Sequence, residues 1–421
     1  MNNTRIGEGA LGANLDLGAV GSLTLRFYGE AERYNQTFSS VATDRNSESL
    51  TDVQGVPSQG VGGSAVWSRT AGKRQTLVAG VDDHQEIGHS NEVIFNSGNN
   101  LRDTFTGGHQ NTVGVFGEDL IQLAPRWLLA ISGRYDHWSN TDAFFFCTPV
   151  AGTCPDNMIF PNRTYDAFSP RLTLQHQFNS NVSWSASVYR AFRAPTLNEL
   201  YRSFRQGNTL TESNPALRSE ELTGTDASVA VNGFRHKLEA RGTFFYNTIV
   251  DPVANVTISS TDTLITRQRQ NLGRTHAPGF EIDATAHFTR AFELSVAYQY
   301  VDAVVASFPN ATPSLVGLWV AQVPHNVLTF QGRYLDPAHI NISVNGRMAG
   351  KQYDDDQNMF PLGRYFVLDA MAWRSIGRGI ELFTAAENLF NAKYATAATP
   401  VFQLGLPITA RFGLRYQLSR R

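Results

Sequence analysis

Residues 279–288 read GFEIDATAHF, and the residue types in this stretch repeat every two positions. Phe280 and Ile282 occupy even positions together with small alanines, whereas Glu281 and Asp283 occupy odd positions. Successive side chains of a β-strand point to opposite faces of the sheet, so this period gives the strand one apolar and one polar face. The stretch therefore predicts a half-buried β-strand.

The same alternation recurs elsewhere in the chain, for example at 237–246, 339–347 and 410–418. The polar positions of these strands carry Arg, Glu, Asn and Ser side chains, which a dry protein core would not bury in such numbers. The chain is 42% hydrophobic, and it has no uninterrupted apolar run of about 18 residues, which excludes transmembrane helices. A transmembrane β-barrel remains possible, because barrel strands are apolar on one face only.

The connections between the alternating segments fall into two classes by length. Short turns are predicted at 19–22, 71–74, 123–126, 178–181, 232–236, 289–291, 336–339 and 375–379. Long connections alternate with them at 35–60, 87–109, 139–165, 193–219, 251–263, 303–322, 350–361 and 391–406. Outer-membrane barrels have this arrangement, and lipid requires every backbone polar group to be paired. The sequence therefore predicts an all-β fold, an antiparallel transmembrane β-barrel with long extracellular loops and short periplasmic turns.

The strands predicted between these connections number about 17 to 18, with residues 264–288 taken as one long strand. The last strand is expected to end on the periplasmic side, so the first strand, near 11–18, runs downward from the outside. A closed barrel with both ends in the periplasm needs an even number of strands. We therefore expect an incomplete barrel that begins partway through the sheet.

The two cysteines of the chain, Cys147 and Cys154, lie in one segment rich in Pro and Gly. Two such neighbours can close a short disulfide in an oxidising compartment. The alternative is a pair of unlinked loop thiols. Their spacing does not match the CxxC pattern of metal sites.

Five further segments carry a resemblance to a known family. FRAPTLNELY at 192–201 and NPALRSEE at 214–221 resemble the signature of TonB-dependent outer-membrane receptors. Three later segments resemble further patterns of that family in the same order, at 271–284, 323–334 and 387–396. These matches cover the chain from about residue 190 onward, and the earlier part agrees in its alternation only.

The chain also departs from the family pattern. Ser219 stands where the pattern has Pro, and Leu418 is followed by Ser-Arg-Arg where the family usually ends on an aromatic residue. The family carries a signal peptide, a TonB box and a plug domain ahead of a 22-stranded barrel, and none of them is visible in this sequence. The resemblance therefore implies that residues 1–421 form the C-terminal portion of a receptor barrel, with the plug and the first strands missing.

The resemblance also implies a function and a location. The expected location is the outer membrane of a Gram-negative-type bacterium. The expected activity is uptake of a scarce solute, a ferric siderophore or a cobalamin-like chelate. The expected partners are outer-membrane lipid, the chelate, and the TonB–ExbB–ExbD complex, which would act through the missing plug. No cofactor is implied, and a net charge of -2 gives no signal for nucleic acid.

Three alternatives remain open from the sequence. The first is a passive porin of about 18 strands, and the second is an adhesin or phage-receptor barrel whose surface loops carry the function. The third is an outer-membrane enzyme, which the absence of GxSxG and HExxH motifs disfavours. We therefore expect that the protein is not an enzyme.

Candidate ligand-binding residues lie in the connection at 193–219. Tyr201, Arg202, Phe204 and Arg205 place two guanidinium groups beside two aromatic rings. Such a group suits an anionic planar ligand, for example a ferric catecholate, through charge and cation–π contact. The alternative is that these residues pack the loop against the barrel rim.

A second candidate is the aromatic run Phe144, Phe145 and Phe146. An exposed run of this kind could form an apolar platform for a ligand. The alternative is an aromatic cluster that packs the loop.

Two weaker patterns could bind a metal ion. Asp354, Asp355 and Asp356 supply three carboxylates to one predicted extracellular loop and are a Ca²⁺ candidate. The alternative is a solvated loop in which aspartate acts as a turn former. The segment HQEIGH, residues 84–89, could approach a metal through two histidines and a glutamate, and its alternative is a group of solvated residues.

Overall fold

The chain is built almost entirely of β-strands. The computed structural model describes residues 2–42, 44, 46–96, 98–235, 237–261, 264–308, 314–399 and 402–417. In chain order the strands are β1 (Asn3–Asp16), β2 (Ser22–Val41), β3 (Glu48–Ala71), β4 (Gln75–Asn96), β5 (Asn99–Ala124), β6 (Trp127–Pro149), β7 (Met158–Ile159), β8 (Arg163–Gln177), β9 (Val182–Arg193), β10 (Phe204–Gln206), β11 (Thr209–Glu212), β12 (Glu220–Gly233), β13 (Leu238–Val250), β14 (Val253–Ser260), β15 (Ile265–Asn271), β16 (Arg274–His287), β17 (Phe292–Val301), β18 (Val304–Ser307), β19 (Asn326–Asp336), β20 (Ile340–Ala349), β21 (Gln352–Tyr353), β22 (Pro361–Leu362), β23 (Tyr365–Gly377), β24 (Ile380–Glu387), β25 (Ala395–Ala397), β26 (Gln403–Leu404) and β27 (Thr409–Tyr416).

Helical structure is limited to one α-helix, α1 (Leu197–Tyr201), and one 3₁₀ turn (Gly18–Val20) within the described residues. Neither is long and apolar enough to cross a membrane. The predicted all-β, antiparallel fold is therefore confirmed. The last predicted strand runs to Tyr416, and the expectation for Leu418 and the three residues after it lies outside the described part of the chain.

The strand count and the short turns agree with the sequence prediction. Eighteen of the described strands have eight residues or more, and one of these, β14, belongs to a separate small sheet. The other 17 match the predicted number. Each of the eight predicted short turns coincides with a break between consecutive strands, for example at 72–74 and at 178–181.

Two of the predicted long loops are instead extended hairpins, so the prediction was wrong there. The β2–β3 pairing continues without a loop as far as Val41 and Glu48, and the β4–β5 pairing continues to Asn96 and Asn99. Backbone pairing does not require an apolar face once a strand leaves the lipid, so the alternation fades before the strand ends. The segment 264–288 is also two strands, β15 and β16, because β15 turns away to join the small sheet.

The structure divides into two compact units. Unit 1 comprises Met1–Leu174, Val188–Thr223 and Ile249–Gly273, and unit 2 comprises the remaining segments Gln175–Ser187, Gly224–Thr248 and Arg274–Arg421. In unit 1, strands β1 to β6 pair in sequence order as an antiparallel meander. Unit 1 also holds α1 and the small sheet β10-β11-β15-β14, in which β11 and β15 run parallel.

The polar face of β1 to β6 is strongly acidic. One row across the sheet contains Glu8, Glu30, Gly60 and Glu86, each in register with the next. By the same register, the carboxylates on this face are Glu8, Asp16, Glu30, Glu32, Asp52, Asp82, Glu86, Glu92, Glu118 and Asp136. The arginines that the described residues of these strands place on it are Arg26, Arg102 and Arg134. We call this surface the acidic face.

The polar face of unit 2 is closer to neutral. Strands β16, β17, β19, β20, β23, β24 and β27 form its antiparallel sheet. Arginines on neighbouring strands meet its carboxylates: Arg333 lies 3.6 Å from Glu293, Arg411 lies 3.2 Å from Glu387 and Arg415 lies 3.1 Å from Glu381. The apolar positions on the other side are exposed, including Phe412 at 82% and Leu414 at 61%, as a lipid-facing surface requires.

Candidate ligand site around helix α1

Helix α1 is short and is fixed by its first residues. The side chain of Thr196 accepts from the Glu199 amide (3.2 Å), and the Glu199 carboxylate accepts from the Thr196 amide (2.8 Å), which completes a capping box. Leu200 and Tyr201 are almost fully buried, and the Tyr201 ring packs against Phe160 at 4.5 Å between ring centres. The helix therefore depends on its cap and on two buried side chains, since five residues are too few for a stable isolated helix.

The signature segments around α1 form one hydrogen-bonded network in unit 1. Arg163 on β8 donates to the carbonyl oxygens of Pro215 (2.6 Å) and Leu217 (2.5 Å). Arg193 pairs with Glu199 (3.0 Å) and Glu220 (2.6 Å). These contacts satisfy backbone carbonyls and carboxylates in an irregular segment, so the signature residues hold the loop in place.

Asn271 on β15 closes the same network. Its side chain donates to the carbonyl oxygens of Asp251 (2.7 Å) and Arg218 (3.0 Å) and accepts from the Arg218 amide (2.8 Å). Arg218 also pairs with the Asp251 carboxylate at 2.6 Å. Asn271, the first residue of the family-like segment 271–284, is therefore a structural residue that joins two loops.

Arg202 follows α1 and is held by a carboxylate from a distant strand. Its Nε donates to Glu92 on β4, and the two side chains are 12% and 4% exposed. Glu92 accepts in addition from Gln54 (2.9 Å) and Ser90 (3.0 Å). Hydrogen bonds offset part of the desolvation cost of a buried ion pair. Here the donors from Arg202, Gln54 and Ser90 all converge on Oε1 of Glu92, and Nη2 of Arg202 has no hydrogen-bond partner among the described residues.

Arg269 on β15 also supports the segment after α1. Its guanidinium donates to the carbonyl oxygens of Asn198 (2.8 Å) and Arg202 (2.7 Å), and its charge lies 5.5 Å from the centre of the Phe204 ring. Arg202 approaches the same ring at 4.8 Å. Burial lowers the pKa of Arg269 to about 10. The Phe204 ring therefore contacts two cations, of which Arg202 is paired with Glu92 and Arg269 is bonded to two carbonyl oxygens.

Two cavities flank the Arg202–Glu92 pair. Cavity 1 has a volume of about 470 Å³, and its walls include Glu92, Arg102, Phe145, Asp156, Phe160 and Tyr201. Cavity 2 has a volume of about 330 Å³, and its walls include Gln54, Glu86, Ser90, Leu197, Asn198 and Arg202. Thr106 on β5 borders both cavities. Aromatic walls with a few polar groups are typical of small-molecule sites.

Asp52 on β3 lies beside the pair and is 3% exposed, and one of its carboxylate oxygens has no hydrogen-bond partner among the residues that the structure describes. It is separated by about 20 residues from the short turn at 72–74, whereas a membrane crossing takes about 9 to 11 residues, so it lies beyond the lipid. Burial, and then the charge of Glu92, raise the pKa of Asp52 to about 7, while Arg202 acts in the opposite direction.

The residues predicted at 201–205 do not form one exposed ligand surface. Tyr201 is buried and accepts a hydrogen bond from Asn140 (2.9 Å), and burial raises its pKa. Arg202 is largely buried and Phe204 is half-buried, while Arg205 is exposed and donates to the Gly207 carbonyl (3.1 Å). Tyr201 and Arg202 line the cavities, so the loop is packed with part of its surface facing a cavity.

The aromatic run of β6 is divided between two faces. A register shift between β5 and β6 coincides with Asp142, which has a φ of 53°, and such a bulge inverts the alternation. Phe145 lines cavity 1, whereas Phe144 and Phe146 stack on one another at 5.1 Å with Phe144 against Phe105 at 4.7 Å. The three rings therefore do not form a single platform.

The two cysteines are joined near the same end of β6. Cys147 and Cys154 form a disulfide whose Cα atoms are 5.7 Å apart. The Cys147 amide donates to the Asn157 side chain at 2.7 Å. The disulfide restrains the segment that contains Asp156, which is a wall residue of cavity 1.

The aspartates of the 353–358 segment act as loop organisers. Asp354 accepts from the backbone amides of Ala398 (2.8 Å) and Thr399 (2.7 Å), and Asp355 accepts from those of Met359 (3.1 Å) and Phe360 (2.8 Å). Burial opposes ionisation of Asp354, but these amide donors outweigh it and lower its pKa. The three carboxylates do not converge, and the described residues contain no cluster of three or more metal-ligating side chains.

The histidines of the 84–89 segment also lie apart. His84 bonds Tyr28 through Nδ1 at 2.9 Å, whereas His89 has the opposite strand parity and stacks on Phe105 at 5.5 Å. Two side chains on opposite faces of β4 cannot ligate one ion.

Sequence reasoning missed the partners that come from other strands. Asp52, Glu92 and Arg269 lie far in sequence from α1, and no spacing in the chain connects them to it. The sequence indicated only that these residues occupy the polar positions of alternating strands. Contact between them is set by strand register, which a single sequence does not fix.

Comparisons with known proteins agree with this architecture. The family model for the TonB-dependent receptor-like β-barrel matches residues 1–389. The ferrichrome outer membrane transporter/phage receptor of Escherichia coli is 26% identical over 68% of this chain and 35% of its own length. The probable TonB-dependent siderophore receptor PiuA of Acinetobacter baumannii is 20% identical over 68% of this chain and 38% of its own length. The chain thus spans somewhat more than a third of these relatives.

Solved structures show the same fold. The ferric yersiniabactin uptake receptor FyuA of Yersinia pestis superposes with a TM-score of 0.76 at 13% identity, over 99% of this chain and 61% of that one. The copper transporter OprC gives a TM-score of 0.74 at 15% identity, over 97% and 65%. The matched family consists of outer-membrane receptors and transporters of Gram-negative bacteria rather than enzymes. This chain belongs to the TonB-dependent receptor β-barrel family.

Proposed function

We propose that residues 1–421 form the barrel part of a TonB-dependent receptor that takes up an iron chelate across the outer membrane. The observation that supports this most directly is the pair of cavities beside α1. They lie on the polar face of the strands, in the segment that carries the family signature, and their walls combine aromatic rings with charged groups. Organic iron chelates present apolar and polar surfaces of matching kinds.

The names of the relatives favour a ferric siderophore over a cobalamin-like chelate. One relative is named as a ferrichrome transporter and another as a probable siderophore receptor. In this proposal the cavity residues contact the chelate, the apolar strand face contacts outer-membrane lipid, and the TonB–ExbB–ExbD complex supplies energy through a plug segment. The bound iron is cargo and not a cofactor.

Iron uptake tests the proposal. Cells that lack their own siderophore receptors would express residues 1–421 together with the plug segment through which TonB acts, and accumulation of ⁵⁵Fe from a ferric trihydroxamate would be measured with and without TonB. We expect accumulation above the empty-vector control that is lost without TonB. Accumulation that is independent of TonB, together with steady conductance in a planar bilayer, would instead identify a passive porin. If cells bind surfaces or phage through this chain and take up no iron, the adhesin alternative holds.

A further inference from the structure

The charges around the two cavities do not match an anionic ligand. Arg202, which borders cavity 2, is already paired with Glu92. Arg269 donates to two carbonyl oxygens and is directed into the loop. Arg102 borders cavity 1, where Asp156 is a wall residue of opposite charge. The charges of these guanidinium groups are therefore offset by carboxylates or directed into the loop, although Nε of Arg102 and Nη2 of Arg202 have no hydrogen-bond partner among the described residues, and they leave little net positive charge for a ligand.

Glu86 differs from these groups because it has no ion-pair partner among the described residues. It is exposed in the wall of cavity 2, and its neighbours across the sheet are Gly60 and Gln110. The carboxylate of Glu30 covers Gly60, since a Cβ at that glycine would lie 3.1 Å from Glu30 Oε1. Glu8 continues the row as the in-register partner of Glu30. Glu8, Glu30 and Glu86 thus form one row that contains no arginine and that reaches the wall of cavity 2 at Glu86.

Like charges on directly opposed strand positions destabilise a sheet, and the row is part of a face where carboxylates outnumber arginines. Such a surface creates a negative potential that attracts cations and repels anions, and a concave site concentrates that potential. The aromatic rings of Phe145, Phe160 and Tyr201 in cavity 1 add apolar contact for an uncharged or cationic organic molecule.

We propose that the cavities beside α1 accept a ferric chelate of neutral or positive net charge and select against anionic chelates, with Glu86 as the specificity-determining residue. This inference rests on the proposed function, because it assigns the charge class of the same cargo. It also excludes the ferric catecholate that the Arg and aromatic residues at 201–205 suggest from sequence.

Three iron chelates of different charge test the inference: a neutral ferric trihydroxamate, a cationic ferric trihydroxamate with a protonated amine, and an anionic ferric tris-catecholate. Binding to the full chain in detergent micelles would be measured by quenching of tryptophan fluorescence. We expect the neutral and cationic chelates to bind at least about tenfold more tightly than the anionic chelate, and the difference to shrink as salt is raised. Equal or tighter binding of the anionic chelate overturns the inference and leaves the proposed function intact. If none of the three binds, the proposed function fails and this inference fails with it.

Substitutions that change the charge at position 86 test whether Glu86 determines the specificity. In Glu86→Gln the cationic chelate should bind several-fold more weakly while the neutral chelate is unaffected, and in Glu86→Arg the preference between cationic and anionic chelates should narrow or reverse. Glu118→Gln is the matched control, because Glu118 lies on the same acidic face but outside both cavity walls. Equal effects of the Glu86 and Glu118 substitutions would show that Glu86 has no specific role. A normal circular dichroism spectrum and heat-modifiable gel mobility would confirm that each variant is folded.

Discussion

The polar faces of the two units use charge in different ways. In unit 2, Glu381 and Glu387 meet Arg415 and Arg411 on the next strand, and these arginines are 66% and 61% exposed. In unit 1, Glu8, Glu30 and Glu86 share a row with no arginine, and Glu92 is met by Arg202 from a remote segment. Charge in unit 2 therefore matches neighbouring strands to each other, whereas in unit 1, apart from Arg134 with Asp82 and Asp136, it anchors a loop and leaves a negative surface.

The largest expected effect is at the anchor of unit 1. Arg202→Ala leaves Glu92 buried without its cation, and breaking such a pair costs about 3–5 kcal/mol. The expected result is a lower free energy of unfolding in urea and faster proteolysis within 193–219. Arg205→Ala is the control, because its exposed side chain donates only to the Gly207 carbonyl within the described residues. Equal losses in both variants would contradict a specific role for the buried pair.

The second prediction concerns the pH dependence of stability that results from protonation of Asp52 in unit 1. The folded-state pKa of Asp52 is about 7, above its ordinary value of 3.8, so the folded state retains a proton that the unfolded chain has released. Stability is therefore highest below pH 4 for this group and falls as pH rises toward 7, by up to about 1.4 kcal/mol per pH unit. Thermal midpoints between pH 4 and 8 measure this slope, and Asp52→Asn should flatten it. An unchanged slope in that variant would assign the effect to other groups.

The third prediction concerns the cap that positions α1 above the acidic face. Thr196→Ala removes the side-chain acceptor for the Glu199 amide, and loss of an N-cap costs about 1 kcal/mol. Hydrogen exchange of the Glu199 amide should accelerate, with little effect in unit 2. Thr196→Ser keeps the hydroxyl and should restore protection. If Ser and Ala behave alike, the cap does not hold the helix.

The smallest expected effect is in unit 2. Arg415→Ala breaks the exposed pair with Glu381, and exposed pairs contribute about 0–1 kcal/mol. The free energy of unfolding should therefore change little, and the small loss should vanish at high salt. If Arg415→Ala lowered the free energy of unfolding as much as Arg202→Ala, the ion pairs of the two units would not differ in their contribution to stability.

Prediction from sequence was most accurate where the physics is local. A period of two identifies strands such as β16, and the turn residues located all eight short connections. It was least accurate where backbone pairing alone extends a strand, as at 35–60, and where one bulge at Asp142 divides an aromatic run between two faces. Neither the extension of a paired strand nor the position of a bulge depends on which side chains are apolar, so the alternation of residue types does not reveal them.

By itself, the sequence determined that this protein is an antiparallel all-β chain with short turns on one side and a family signature at 192–221, because alternation and turn chemistry act between near neighbours. Only the tertiary structure decided which charges are available to a ligand. Arg202 looks free in the sequence, but strand register brings Glu92 to it across 110 positions, while Glu86 at a cavity wall has no ion-pair partner in the part of the chain that the structure describes. The reason is that pairing of charges depends on distance in space, which is fixed by the register of strands far apart in the chain.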